Sequence, residues 1–215
     1  MVTDTKLHDY WRSSASYRVR IALELKGVAY TRVATDLVAG EQRDPDYLGQ
    51  NPQGLVPMLE IDGLRLTQSL AIVEYLDLTR PEPALIPRDP SSRARAMALA
   101  LAIGCDIHPL NNLRVLSYLG EAGIDKDGRD RWYRHWVVEG LGPLEASAAG
   151  TLAFLGGDAP GIADLCLVPQ LYNARRFDVD LTPYPTLVAV AARCVALPAF
   201  ERAHPETVRS DAMRV

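Results

Sequence analysis

The sequence lacks the features of nucleic-acid-binding, membrane-spanning and secreted proteins. Its 215 residues hold 23 Lys and Arg against 27 Asp and Glu, a formal net charge of −4. Proteins that bind nucleic-acid phosphates carry a basic excess or stripe instead. No apolar run reaches the roughly 18 residues of a membrane-spanning helix. The polar start Met1–Lys6 has no apolar segment behind it, so we expect no secretory signal and a cytoplasmic location.

Cysteine is also scarce, with three widely spaced residues, Cys105, Cys166 and Cys194. No Cys-x-x-Cys or Cys/His cluster has the spacing of a zinc site, and three cysteines make no disulfide framework. We expect three buried, reduced thiols and no bound metal.

The first part of the chain alternates short strand-like and helical runs. These are a strand over Lys6–Trp11, a helix over Ser16–Lys26 that Gly27 ends, a strand over Tyr30–Leu37, a hairpin over Pro57–Leu66, and a helix from Ser69. Asp62-Gly63 is a typical hairpin turn. The order strand, helix, strand, short helix, hairpin, helix predicts a mixed sheet with one parallel pair and added antiparallel strands.

The helix from Ser69 has an apolar face, and this face predicts Glu74 and Asp77 on the outside. Four prolines then fall within Arg80–Pro90, which no helix interior tolerates. We expect a linker there, between a domain of residues 1–83 and a second domain of residues 91–215.

The second domain is predicted to be all-α because strand signals are missing from it. The expected helices are Arg93–Leu119, interrupted near Gly104 and Pro109, then Arg129–Ala149, Ile162–Arg176 and Pro185–Leu197, with a loosely ordered tail from Pro205.

A cluster of hydroxyls lies where the first strand meets the first helix. Ser13, Ser14 and Ser16 stand there together. One serine can cap the helix. Three are more than one cap needs, and the unpaired N–H groups of a first turn suit an anion such as a bound thiolate. A hydroxyl that donates to that thiolate would lower its pKa.

Two further dipeptides allow a structural and a functional interpretation. Val56-Pro57 is either a proline before a strand or a cis bond that frees the preceding backbone to pair with a peptide ligand. Ser69 after Gln68 is either a helix cap or, with the first amides of the helix, a site for a carboxylate.

Together these motifs resemble the zeta class of glutathione transferases, whose best-known members are maleylacetoacetate isomerases, with bacterial maleylpyruvate isomerases as close relatives. The resemblance spans nearly the whole chain. Beyond the serine run, Asn51-Pro52, Val56-Pro57 and Gln68-Ser69, it includes Gly104–Asn112, Ala163-Asp164-Leu165, Val168-Pro169-Gln170, Arg176-Phe177 and Val179–Pro185.

The resemblance implies a thioredoxin-like N-terminal domain, an all-helical C-terminal domain, glutathione between them and a homodimer. Ser13 would lie nearest the glutathione sulfur, with Ser14 assisting. The other implied glutathione-binding residues are Gln42, Val56 before a cis Pro57, Gln68, Ser69, His108 and Asn112. His108 could equally be a packed or exposed histidine.

The implied reaction is isomerisation of a maleyl keto acid, in the breakdown of tyrosine or other aromatic compounds. A thiolate adds to the cis alkene, the resulting single bond rotates, and elimination gives the fumaryl isomer. The carboxylates of the substrate would be held by Arg12, Arg114 and Arg176, because arginine is permanently charged and bidentate. Each could instead be a solvated surface residue. The expected catalytic residues are Ser13, Ser14, Arg12 and Arg176.

Two positions depart from the family pattern. Ala15 stands where most members have cysteine, so the reactive sulfur should belong to glutathione. Gly161 replaces a hydroxyl residue, which predicts an incomplete cap and an incomplete reciprocal contact with Asp164. Arg18 and Arg20 are expected to make ion pairs or to face a partner subunit.

Two other functions stay open. One is a general glutathione transferase, acting on α-halo acids or other small electrophiles, and it would consume glutathione. The other is a transferase-like domain without catalysis that serves in assembly.

Overall fold

The computed structural model describes residues 5–151 and 153–209. They form two compact units, residues 5–85 with 197–209, and residues 86–196. In these described ranges, no helix is both long and apolar enough to span a bilayer.

The first unit is built on a four-stranded sheet flanked by helices. Its elements are β1 (Lys6–Asp9), α1 (Ser14–Leu25), β2 (Thr31–Ala34), a 3₁₀ turn (Glu41–Arg43), α2 (Pro45–Leu48), β3 (Met58–Ile61), β4 (Leu64–Thr67) and α3 (Ser69–Thr79). The strand order is β2-β1-β3-β4, and β1 pairs with β2 in parallel but with β3 antiparallel. The predicted element order and mixed sheet are confirmed.

The hairpin between β3 and β4 turns at Asp62 and Gly63, which both have positive φ, 52° and 77°. That pair of conformations is the type I′ turn that matches strand twist. The dipeptide Asp62-Gly63 therefore determines where β3 turns into the edge strand β4.

The expectation that Asp77 lies on the outside of α3 is wrong. Asp77 is buried, and its carboxylate accepts from Lys26 Nζ at 2.8 Å and from Leu85 N at 2.7 Å. Lys26 also donates to the carbonyls of Arg80 and Pro83. Helical periodicity misses such partners because they come from the residue that follows α1 and from the linker.

The second unit is helical. It contains α4 (Pro90–Leu101), a π-helical segment (Ala102–Ile107), a 3₁₀ turn (His108–Asn111), α5 (Leu113–Glu121), α6 (Lys126–Ser147), α7 (Ile162–Arg176) and α8 (Pro185–Val195). The irregular segments fall where Gly104 and Pro109 predicted an interruption. The bounds of α7 agree with the prediction at both ends.

The C-terminal helices α9 (Pro198–Ala203) and α10 (Pro205–Val208) belong to the first unit, whereas the sequence placed everything after residue 91 in the helical domain. Phe200 is fully buried, and the Ala203 carbonyl accepts from Arg20 Nε at 2.9 Å. The described part of the expected loose tail is therefore a packed helix. The rest of that tail, residues 210–215, lies outside the described residues.

Two smaller expectations are corrected. Asp164 completes its half of the cap without a hydroxyl at Gly161, because its carboxylate accepts from Gly161 N and Leu155 N, both at 2.9 Å. Burial raises the pKa of Asp164.

Cys166 and Cys194 are buried as expected, but Cys105 is exposed, since it lies on the π-helical segment, where the helical periodicity shifts.

Candidate functional site

At the start of α1, the hydroxyl of Ser13 both caps the helix and can donate a hydrogen bond. Ser13 is the N-cap residue of α1, and its Oγ accepts from Ser16 N at 3.2 Å. A serine hydroxyl that accepts a hydrogen bond keeps its own O–H to donate. Capping and thiolate binding are therefore compatible at Ser13. Ser14, the first residue of the helix, is buried.

A buried ion pair holds the backbone just before Ser13. Arg20 Nη1 donates to Asp9 Oδ2 at 2.7 Å, and Nη2 donates to the Trp11 carbonyl at 2.9 Å. Both side chains of the pair have no exposed surface. Burial lowers the pKa of Arg20, and the Asp9 carboxylate opposes that effect. The pair thus ties the end of β1 and the loop after it to α1.

Arg12, in the loop after β1, lies close to two aromatic rings. Its guanidinium carbon is 5.2 Å from the Trp11 ring centroid and 6.0 Å from that of Tyr10. Arg209, after α10, lies 4.7 Å from the same Trp11 ring. No ion pair of Arg12 is found within the described ranges, so its charge is available to an anionic ligand.

The loop before β3 packs against the aromatic rings that lie beside Arg12. Val56 precedes a cis Pro57, as the functional interpretation of the dipeptide and the resemblance both implied. Val56 is buried with Tyr10, Trp11, Tyr47 and Met58. The first unit therefore places the Val56 backbone and the Ser13 loop around one apolar cluster.

The start of α3 differs from the expected cap. Gln68, not Ser69, is the N-cap residue; it has φ of 66° and makes no side-chain cap. Ser69 is the first helical residue, and its Oγ accepts from Arg18 Nη1 at 3.0 Å. Gln68 Nε2 donates to Gln53 Oε1 at 2.9 Å. The sequence did not predict these contacts of Arg18 and Gln53, since both residues reach α3 from distant parts of the chain.

Both helix starts can attract an anion. Neither α1 nor α3 has an acidic residue in its first turn, so nothing on these helices neutralises the positive end of the dipole. Gln42, in the 3₁₀ turn, adds a buried Oε1 without a hydrogen-bond partner among the described residues. The first unit can therefore hold a ligand with anionic groups and an amide or amine donor.

The second unit carries the other four sequence-predicted residues. His108 begins the 3₁₀ turn, and Asn112 caps α5 by accepting from Arg114 N at 3.1 Å. Arg114 is exposed. Arg176, at the end of α7, donates to Asn173 Oδ1 at 3.0 Å.

Aromatic rings also hold Arg176 in place. Its guanidinium lies 5.9 Å from the Tyr172 ring and 5.7 Å from the Phe177 ring. The Phe177 ring stacks on Tyr133 at 3.6 Å. An arginine whose guanidinium is positioned by one hydrogen bond and two aromatic rings is suited to bind a carboxylate.

A cavity of about 690 Å³ lies elsewhere in the second unit. Residues of α4, the π-helical segment, α6 and the ranges 149–151 and 154–157 line it. His108, Asn112, Arg114 and Arg176 are not among its lining residues, so we do not assign it to the candidate site.

Comparisons with known proteins identify the family of this chain. Residues 3–78 match the family described as glutathione S-transferase, N-terminal domain. The chain is 52% identical over 212 residues to maleylacetoacetate isomerase of Rhizobium meliloti, covering 97% of this chain and all of that one.

Two solved structures are also similar. One is a holo maleylpyruvate isomerase, described as a bacterial zeta-class glutathione transferase, with a TM-score of 0.92 and 45% identity, covering 96% of this chain and 99% of that one. The other is maleylacetoacetate isomerase of Methylobacterium extorquens AM1 with bound malonate and glutathione, with a TM-score of 0.92 and 44% identity, covering 95% and 98%. The chain therefore belongs to the glutathione transferase family, within its zeta class of maleylacetoacetate and maleylpyruvate isomerases.

Proposed function

We propose that the protein is a glutathione-dependent cis–trans isomerase that converts maleylacetoacetate or maleylpyruvate to the fumaryl isomer. The observation that carries this proposal is the end-to-end match, at 52% identity, to a maleylacetoacetate isomerase. The thioredoxin-like first unit supports it, because the start of α1 there offers a hydroxyl donor and a helix dipole end that no acidic residue of the first turn neutralises.

Glutathione, when bound, would supply a thiolate that adds reversibly to the cis alkene, so that the bond can rotate before elimination releases the same thiolate. Ser13, assisted by Ser14, donates to that thiolate and keeps it deprotonated. The backbone of Val56 pairs with the cysteinyl residue. Gln68 and Ser69 hold the γ-glutamyl end.

The residues present fit this ligand. The orphaned Gln42 Oε1 is an acceptor for its amide or amine hydrogens. His108 and Asn112 are assigned to the same ligand. Ala15, in the first turn of α1, offers no thiol of its own, which leaves the sulfur to glutathione.

Three arginines are assigned to the substrate. Arg12 and Arg176 bind its anionic ends, and they stabilise the negative charge that develops on its carbonyl oxygen during addition. Arg114 adds a further contact to a carboxylate. The ring contacts of Arg12 and Arg176 support this assignment, since a restrained guanidinium loses less entropy on binding.

We assign glutathione binding to the sheet-containing first unit and substrate binding to the helices that follow the linker, and we propose a homodimer. A cytoplasmic location is also proposed. The free thiols of Cys166 and Cys194 are compatible with that reducing compartment. The route served is the breakdown of tyrosine or of another aromatic compound.

The direct test is turnover of both maleyl acids with catalytic glutathione. We expect fumaryl product by proton NMR, with free thiol constant over many turnovers, because elimination returns the thiol. Absence of product with both acids, or turnover without glutathione, would contradict the proposal. Stoichiometric loss of thiol would favour the alternative, a transferase acting on α-halo acids or other electrophiles.

Replacing Ser13 separates its two roles. Ser13→Gly should cost only a few tenths of a kcal/mol in unfolding free energy, since glycine is a tolerated N-cap. It should lower kcat/KM for glutathione at least tenfold, about 1.4 kcal/mol in transition-state stabilisation, because the hydroxyl donor is lost. Ser13→Thr, which keeps both functions, is the control. Wild-type turnover by the glycine variant would remove the proposed role.

Arg176→Ala tests recognition of the substrate carboxylate. We expect KM for a maleyl dicarboxylate to rise about tenfold or more, while KM for a neutral electrophile such as a chlorodinitrobenzene stays near the wild-type value. The exposed neighbour Arg175 provides the matched control, Arg175→Ala. Equal changes for both substrates would contradict the assignment.

A further inference from the structure

Arg18 is a buried cation whose charge is not balanced by any carboxylate of the described residues. Its side chain is 3% exposed, and its single hydrogen bond in the described structure runs from Nη1 to Ser69 Oγ. Nε and Nη2 are buried without partners, and no carboxylate in the described ranges pairs with it. Two residues further on, Arg20 is equally buried but uses Nε, Nη1 and Nη2, and it is paired with Asp9.

Such an arrangement costs free energy unless an anion is nearby. Removing a guanidinium from water is expensive, and an apolar side chain in its place is often as stable or more so. The stability of the first unit alone therefore does not explain Arg18. Its one bonded partner, Ser69, is the first residue of the eleven-residue helix α3, whose first turn is free of acidic residues. A carboxylate at that helix start would balance the charge.

We propose that Arg18 is a positioning residue that makes the start of α3 selective for the α-carboxylate of a γ-glutamyl ligand. This inference rests on the proposed function. The buried atoms of Arg18 do not reach the ligand themselves, so Arg18 acts through Ser69. Because Ser69 Oγ accepts from Nη1, its O–H is oriented to donate to the carboxylate. The unpaired charge behind it strengthens that bond, since the low local dielectric screens it little.

The experiment compares two thiols on matched variants. The first is glutathione, and the second is γ-aminobutyryl-cysteinylglycine, the same tripeptide without the α-carboxylate of its γ-glutamyl residue. Affinities are measured by calorimetry for the wild type, for Arg18→Met, and for the control Arg65→Met, whose arginine is 55% exposed on β4.

We expect the wild type and Arg65→Met to prefer glutathione at least tenfold. Arg18→Met should reduce this preference below threefold, through weaker binding of glutathione and unchanged binding of the analogue. The melting temperature of ligand-free Arg18→Met should equal or exceed that of the wild type, because a buried charge is removed. If this variant does not fold, Arg18→Gln is judged by the same ratio.

The ratio of the two affinities decides the outcome. A preference retained by the Arg18 variant, or both affinities reduced equally, would overturn the inference and leave Arg18 a structural residue. A wild type that binds both thiols equally would overturn it while leaving the proposed function intact. A wild type that binds neither thiol would instead refute the proposed function, and this inference with it.

Discussion

The ion pair between Asp9 and Arg20 is the constraint on which the first unit depends. Asp9 ends β1, and it is bonded by Arg20 from α1 and by Arg32 from β2, the latter at 2.9 Å. Arg20 also binds the carbonyls of Trp11 and Ala203, and Arg32 binds that of Val208. Loss of one partner of such a buried pair typically costs about 3–5 kcal/mol. One carboxylate therefore joins two strands, a helix and the C-terminal segment.

The same pair connects the stability of the fold to the candidate chemistry. Trp11, whose carbonyl Arg20 holds, immediately precedes Arg12 and Ser13, and its ring contacts Arg12 and Arg209. The C-terminal segment thus contacts the loop through Arg209, although it lies almost two hundred residues further along the chain. A serine hydroxyl activates a thiol only if its position is maintained, and this network maintains it.

The sequence predicted the parts of the fold that local signals determine. The Asp62-Gly63 turn, the bounds of α7 and the break in the helix near Pro109 each depend on a few adjacent residues. The capping of α1 by a serine also depends on adjacent residues. Partners distant in sequence were missed: Asp77 with Lys26, Arg20 with Ala203, and Arg18 with Ser69. A sequence pattern shows which residues are polar, but it does not show which distant residue each of them contacts.

We propose that the start of α1, held by Asp9 and Arg20, activates the thiol of bound glutathione. The most direct measurement is an ultraviolet titration of the thiolate absorbance of glutathione bound to the wild-type protein. A free thiol of this kind has a pKa near 8.5, and we predict that the bound thiol titrates at least one pH unit lower. A bound thiol with the same pKa as free glutathione would contradict the account.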